Sequence, residues 1–243
     1  MESSEVRRIF IGDVHGHYDG LMRLLETIAP GQGDQIFFLG DLIDRGPASS
    51  QVVEFVKNSP YPCLLGNHEL MMLSAFPQQT EHELNLLSWL SSGGRETIAG
   101  YTSRDLFLEH VEWMQTLPCF LDLGDIWLVH AGVEPTLPLA EQTTEEFCWI
   151  RSNFHRSDRP FFADKTIVTG HTITFTLPGV EPGQVAAGRG WIDIDTGAYH
   201  PKSGWLTGLD WTAQTVYQAN IFSGKTRTRP LAEATTPIQW LSN

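Results

Sequence analysis

Five short apolar runs recur along the chain, and each ends at a polar turn: VRRIFIGDVHG, QIFFLGD, YPCLLGNHE, IWLVHAG and KTIVTGH. Runs of this length between turn signals have the composition of strands buried on both faces. Several are separated by stretches with helical spacing. In HYDGLMRLLETIAP, Leu21, Leu24, Leu25 and Ile28 fall on one face. ASSQVVEFVKNSP opens with serine caps and stops before Pro60, while EHELNLLSWLSS and SRDLFLEHVEWMQTL repeat the theme. Strand, helix, strand, helix, strand, helix is the order of an α/β fold.

The C-terminal third differs. GWIDIDTGAYHPKSGWLTGLDWTAQTVYQANI alternates and is punctuated by Gly, Pro and Ser, which predicts a second, mostly antiparallel sheet. LPGVEPGQVAAGRG predicts a long loop that covers a site. With no low-complexity linker and no internal repeat, residues 1–243 read as one domain.

Charge narrows the partners. The net charge of -13, from 29 Asp and Glu against 16 Lys and Arg, provides no overall basic field for nucleic acid or an anionic membrane. No run is apolar enough for a secretory leader or a bilayer span, and Cys63, Cys119 and Cys148 are odd in number and far apart without a CxxC pattern. These features predict reduced core thiols in a cytoplasmic, monomeric protein.

The five runs share the chemistry of the residues directly after them: Asp13 and His15, then Asp41, Asp44 and Arg45, then Asn67, His68 and Glu69, then His130, then His171. Ligands of open α/β sheets bind outside the carboxyl ends of the strands, where such loops converge. Asp13, Asp41, His15, His130, His171 and the Asn67 amide offer oxygen and nitrogen donors without thiolate. That set suits Mn, Fe or Zn, and the imidazoles argue against Ca or Mg alone. Six ligands with one shared carboxylate suit two ions about 3.5 to 4 Å apart.

GDVHG, GDLIDRG, GNHE, HAG and TGH, in this order, resemble the signature blocks of the phosphoprotein phosphatase family within the calcineurin-like metallophosphoesterase superfamily. The resemblance extends from about Ile9 to about Gly208 and is strongest to the compact bacterial and phage serine/threonine phosphatases. WLSSGGRETI and IDIDTGA are similar to further segments of those proteins. The resemblance implies two mixed β-sheets packed as a sandwich flanked by helices. It implies that Asp13 and His15 hold one metal, that Asp41 bridges, and that Asn67, His130 and His171 hold the other, with Mn²⁺ first and Fe or Zn as alternatives. His68 would be the general acid, with Asp44 hydrogen-bonded to it, and Arg45, Arg151 of FCWIRSNF and Asn67 would grip the phosphoryl group.

The implied activity is hydrolysis of phosphoserine, phosphothreonine or phosphotyrosine in a protein or peptide, by direct in-line attack of metal-activated water. An alternative is a symmetrical bis(5'-nucleosyl)-tetraphosphatase or another small phosphoester hydrolase. Those enzymes tend to depart from the blocks at the second Asp and at the Glu, and this chain keeps Asp44 and Glu69. A non-catalytic phosphate-binding scaffold is the alternative of another class, and it should have lost ligands first.

Residues outside the blocks take ordinary readings. His17, His82, His110, His155 and His200 read as surface or capping residues, and Glu69 as a brace for the third loop. Ser223 to Thr226 imitates the end of a P-loop, but Ala219 stands where glycine is needed and Arg229-Pro230 where a helix must start, so it reads as a hairpin turn. Trp149, two residues before Arg151, is placed to flank the pocket.

Overall fold

The computed structural model describes residues 6–76 and 82–240. Eleven strands form two mixed sheets among the described residues. They are β1 (Arg8–Ile11), β2 (Gln35–Phe38), β3 (Phe120–Asp122), β4 (Ile126–Val129), β5 (Thr166–Thr169), β6 (Val185–Gly188), β7 (Trp191–Asp193), β8 (Trp205–Asp210), β9 (Thr215–Asn220), β10 (Thr226–Pro230) and β11 (Thr235–Pro237). The first sheet has the order β10-β9-β8-β1-β2, with only β1 and β2 parallel. The second has the order β11-β6-β7-β5-β4-β3 and is parallel at β4/β5, β5/β7 and β11/β6.

Successive side chains of a strand point to opposite faces, so a strand with helices on one side and a sheet on the other must be apolar throughout. Phe10 and Phe37 of the first sheet meet Ile126, Leu128 and Val168 of the second in the layer between the sheets. Ile9, Ile11, Ile36 and Phe38 point the other way. There they pack on α1 (Tyr18–Ile28), α2 (Ser49–Lys57), α3 (Asn67–Ala75) and, after α4 (His82–Trp89) and α5 (Arg95–Ala99), on α6 (Arg104–Met114). Trp127, Val129 and Ile167 cover the outer face of the second sheet with α7 (Thr144–Trp149) and α8 (Ser152–His155). A short α9 (Leu231–Ala234) connects β10 to β11. The expected α/β sandwich flanked by helices is the observed fold.

Several local expectations change. YPCLLG makes only one bridge, Phe38 with Cys63, because Leu65 turns its N–H to the Pro118 carbonyl at 2.9 Å instead of continuing the ladder. The C-terminal third does not build a sheet of its own. Trp191–Asp193 joins the second sheet, and β8, β9 and β10 extend the first beside β1. The predicted loop LPGVEPGQVAAGRG contains β6, whose Val185 is drawn into the layer between the sheets. The N-cap of α2 is Ala48 without a side-chain cap, and the Ser49 hydroxyl instead accepts from the Asp44 N–H at 3.1 Å.

His110 and His155 are buried rather than superficial, because each finds a carboxylate: Glu54 at 2.7 Å and Asp193 at 3.0 Å. His17 and His200 are partly exposed, and the His82 side chain lies outside the described residues. Ser223 to Lys225 form the β9–β10 turn, closed by Gly224 N–H to Asn220 O at 2.9 Å. Cys63 and Cys148 are buried free thiols, as predicted. Cys119 is half-buried and touches Cys148, which pulls the Cys119 thiol down to about 7. No helix among the described residues is long and apolar enough to cross a membrane.

Candidate metal centre

The loops after β1, β2, the Cys63 bridge, β4 and β5 meet at one end of the sandwich, and they are sharply bent. Seven non-glycine residues with positive φ occur among the described residues, and five are His15 (47°), Asp41 (51°), Asp44 (73°), Arg45 (70°) and His171 (69°). A residue held in such a region costs about 1 to 3 kcal/mol and persists only where its surroundings impose it. Glu69 supplies part of that constraint. Its carboxylate accepts from the backbone N–H of Asp41 (2.9 Å), Leu42 (2.8 Å) and Gly66 (3.1 Å), so it braces the second loop as well as its own. Burial, then Asp41, push Glu69 up to about 8. Gly66 must lack a side chain, because a Cβ there would lie 2.3 Å from Asp41 Oδ1.

Asp41 lies at the centre and faces two ways. Its Oδ2 is 3.7 Å from His15 Nε2 and 3.9 Å from His68 Nε2, and its Oδ1 is 3.3 Å from His130 Nε2. Oδ1 also accepts the His68 N–H at 3.0 Å. Burial alone would raise Asp41; positive charge at the positions of His130, His68, His15 and His171 would outweigh it and hold the carboxyl far below its ordinary value. Two buried groups share Asp41, with ligand atoms within 4.8 Å of one another: His15, Asp41 and His68, and Asp41, His130 and His171.

The donor chemistry fits cations there. His130 Nδ1 lies 2.8 Å from the Leu39 carbonyl and His15 Nδ1 2.9 Å from that of Ile43. Carbonyls only accept, so Nδ1 carries the hydrogen in each ring and the neutral ring keeps its lone pair at Nε2. Burial lowers both rings, most strongly His15, which favours that neutral form. His130 Nε2 then faces two further acceptors, Asn67 Oδ1 at 3.0 Å and Asp41 Oδ1 at 3.3 Å. Acceptors converging with no hydrogen between them repel unless a cation joins them. His171 Nδ1 is 2.8 Å from the same Asn67 oxygen, its Nε2 is buried without a partner, and burial followed by His130 and Arg151 lowers the ring. At His15 the Nε2 lone pair meets a cation of the chain itself, the Arg45 guanidinium at 2.5 Å.

Asp13 stands beside both groups rather than within either. Its oxygens accept the His171 N–H at 3.1 and 3.2 Å, and burial with Asp195 and Asp41 raises it well above an ordinary carboxyl.

His68 Nδ1 is 2.6 Å from Asp44 Oδ2, and both residues are buried. Asp44 in turn accepts from Trp89 Nε1 at 2.9 Å and Thr97 Oγ1 at 2.6 Å. The helical segment carrying those two residues breaks at Gly93, where φ is 117° and a Cβ would lie 2.7 Å from the Arg45 nitrogen. Glycine is what allows this close approach. Arg45 lies 4.0 Å over the Tyr199 ring, while Arg151 donates to the His171 carbonyl at 3.1 Å. Together Asp41, Arg45, Asn67, His68, Arg151 and His171 line a cavity of about 110 Å³, with Ile173, Thr176, Asp195 and Tyr199 completing its lining. Trp149 sets its ring edge-on to His171 at 6.4 Å.

Trp89, Thr97, Asp195 and Tyr199 were not among the expected site residues, although WLSSGGRETI and IDIDTGA contain three of them. Burial, then Asp193, push Asp195 up to about 7.

A family model described as calcineurin-like phosphoesterase matches residues 6–191. The chain belongs to the calcineurin-like phosphoesterase family. The family is one of phosphoesterases, and it implies divalent metal ions, for which the two buried ligand groups are candidates. The chain is 35% identical to a symmetrical bis(5'-nucleosyl)-tetraphosphatase of Nitrosococcus oceani over 57% of its own length and 47% of that protein's. It spans about half the length of the curated bacterial tetraphosphatases it matches. In three dimensions it is similar to a protein described as a putative diadenosine tetraphosphatase (TM-score 0.61, 20% identity, 95% and 96% of the two chains). It is also similar to a cold-active protein tyrosine phosphatase (TM-score 0.54, 17% identity, 93% and 79%). At those identities the likeness is one of fold. The phosphoprotein phosphatases implied by the motif blocks therefore stand as structural neighbours of this chain, whereas its similarity in sequence is mainly to tetraphosphatases.

Proposed function

We propose that this chain is a hydrolytic metallophosphoesterase that cleaves phosphoanhydride bonds of nucleoside polyphosphates, with symmetrical dinucleoside tetraphosphates foremost. The observation that carries the chemistry is the cavity itself. Arg45 and Arg151 enter it from different loops, beside a buried set of lone pairs centred on Asp41. Sequence similarity to tetraphosphatases favours the polyphosphate over a protein substrate. A scaffold that had lost catalysis is disfavoured because six of the expected residues line the cavity and the other four, Asp13, His15, Asp44 and His130, each contact one of those six.

In this reading Asp13 and His15 would hold one ion, Asn67, His130 and His171 would hold the other, and Asp41 would be shared by both, with Mn²⁺ the leading metal. Bound ions would neutralise phosphoryl oxygens and lower the pKa of water towards about 7. The chain supplies the rest. Arg45 leaves His15 for the phosphoryl oxygens, where its planar fork and that of Arg151 each accommodate two. His68 delivers a proton from Nε2 to the departing oxygen, and Asp44, fixed by Trp89 and Thr97, orients the ring through Nδ1.

A second reading, protein phosphatase, is favoured by that Asp44–His68 contact, since an oriented acid matters most when the leaving group is a poor one such as a serine or threonine alkoxide. Assay with Mn²⁺ against diadenosine tetraphosphate, a phosphoserine peptide and p-nitrophenyl phosphate separates the readings. The dinucleotide should give the highest kcat/KM, with ADP as the only nucleotide product. A preference for the peptide would transfer the assignment to the second reading. No turnover of any substrate by metal-loaded protein would leave the scaffold.

A further inference from the structure

Behind Arg151, away from the cavity lining, lies a second histidine–aspartate pair, and both residues are buried. His155 Nε2 is 3.0 Å from Asp193 Oδ2, and His155 Nδ1 is 2.9 Å from the carbonyl of Arg151. That carbonyl can only accept, so Nδ1 is a donor. The same carbonyl also accepts the His155 N–H at 3.1 Å, so one residue pins it twice. The other Asp193 oxygen, Oδ1, accepts from the N–H of Asp195, a lining residue of the cavity, at 3.0 Å. Two tryptophans hold His155: Trp191 sets its ring edge-on to the imidazole at 4.8 Å, and Trp240 Nε1 donates to the His155 backbone carbonyl at 2.6 Å.

Arg151 is the second of the two residues between α7 and α8, with φ -133° and ψ -97°; it is the N-cap of α8, and its carbonyl takes the first hydrogen bond of that helix. Among the described residues its guanidinium donates only to the His171 carbonyl and, at 3.4 Å, the Thr172 hydroxyl. Where the guanidinium points therefore depends on how the carbonyl end of this link is held, and a misplacement of about 1 Å near reacting atoms can cost roughly 10²-fold in rate.

We infer that His155 and Asp193 are positioning residues for Arg151: the pair fixes the link from which the guanidinium enters the phosphoryl cavity, and it ties that link to Asp195 in the cavity lining. The inference rests on the reading of Arg151 as a phosphate ligand. His155 touches no reacting group, so its effect must pass through Arg151.

A double-mutant cycle on the full chain with saturating Mn²⁺ and p-nitrophenyl phosphate tests this. Arg151→Ala should lower kcat/KM. His155→Gln, which can still reach Asp193 but no longer donates to the Arg151 carbonyl, should lower it about tenfold, mainly through KM. His155→Asn, which keeps a donor near the Nδ1 position, should recover most of that loss. In the Arg151→Ala background, His155→Gln should change kcat/KM by less than about twofold. If it instead lowers activity by the same factor in both backgrounds, the positioning role is overturned. If Arg151→Ala alone has no effect, the reading of Arg151 falls, and the inference with it. Should circular dichroism show that His155→Gln does not fold, Asp193→Asn takes its place in the cycle: a loss that vanishes in the Arg151→Ala background supports the positioning role, and an equal loss in both backgrounds overturns it.

Discussion

Replacing Asp41 with asparagine is expected to lower turnover of p-nitrophenyl phosphate by at least ~10³-fold, which is about 4 kcal/mol of transition-state stabilisation. That exceeds the ~10- to 100-fold typical when a residue one step removed from a metal is changed. Asp41 presents Oδ2 to His15 and His68 and Oδ1 to His130, so one residue completes both groups of ligand atoms. An asparagine removes the negative charge that four imidazoles surround. It also turns one of the two acceptor oxygens into a donor, so one of the two groups loses its shared ligand whichever way the amide lies. Steady-state rates, with circular dichroism to confirm folding, measure this. Activity within tenfold of the parent would remove Asp41 from the centre of the account.

His68→Asn separates two roles that the geometry leaves side by side. His68 Nε2 lies within reach of the His15–Asp41 group, yet its Nδ1 is engaged by Asp44 at 2.6 Å. As the proton donor, its loss should cost ~10²- to 10⁴-fold on an alkyl phosphate and clearly less on p-nitrophenyl phosphate, whose leaving group needs the proton less. Metal content should be unchanged, and Asp44→Asn should show the same pattern at smaller size. Equal losses on the two esters, accompanied by loss of metal, would make His68 a ligand instead.

Much of this centre was legible in the sequence, for a physical reason. A strand buried on both faces is an unbroken apolar run, and a loop that must turn at once into a site shows Gly, Asp, Asn and His directly after it. IFIGDVHG and FFLGDLIDRG show both features, and their polar residues lie where the strands end. What the sequence concealed depends on long-range partners. His155 reads as a surface histidine until the fold brings it 3.0 Å from Asp193, 38 positions away. Trp89 reads as an ordinary helix residue, and Thr97 has no role in the sequence reading, until the kink at Gly93 lets them close on Asp44. Asp195 follows β7, a strand expected to belong to a separate antiparallel sheet, and only its parallel pairing with β5 carries that carboxylate to the His171 side of the site. Glu69 was read correctly as a brace, but the loop it braces most is that of Asp41.

The central claim is that two ions share Asp41, and anomalous scattering from crystals grown with Mn²⁺ tests it most directly. The account predicts two peaks about 3.5 to 4 Å apart, one against His15 and the other against Asn67, His130 and His171, with the Asp41 carboxylate between them. A single peak, or none within reach of Asp41, would contradict it.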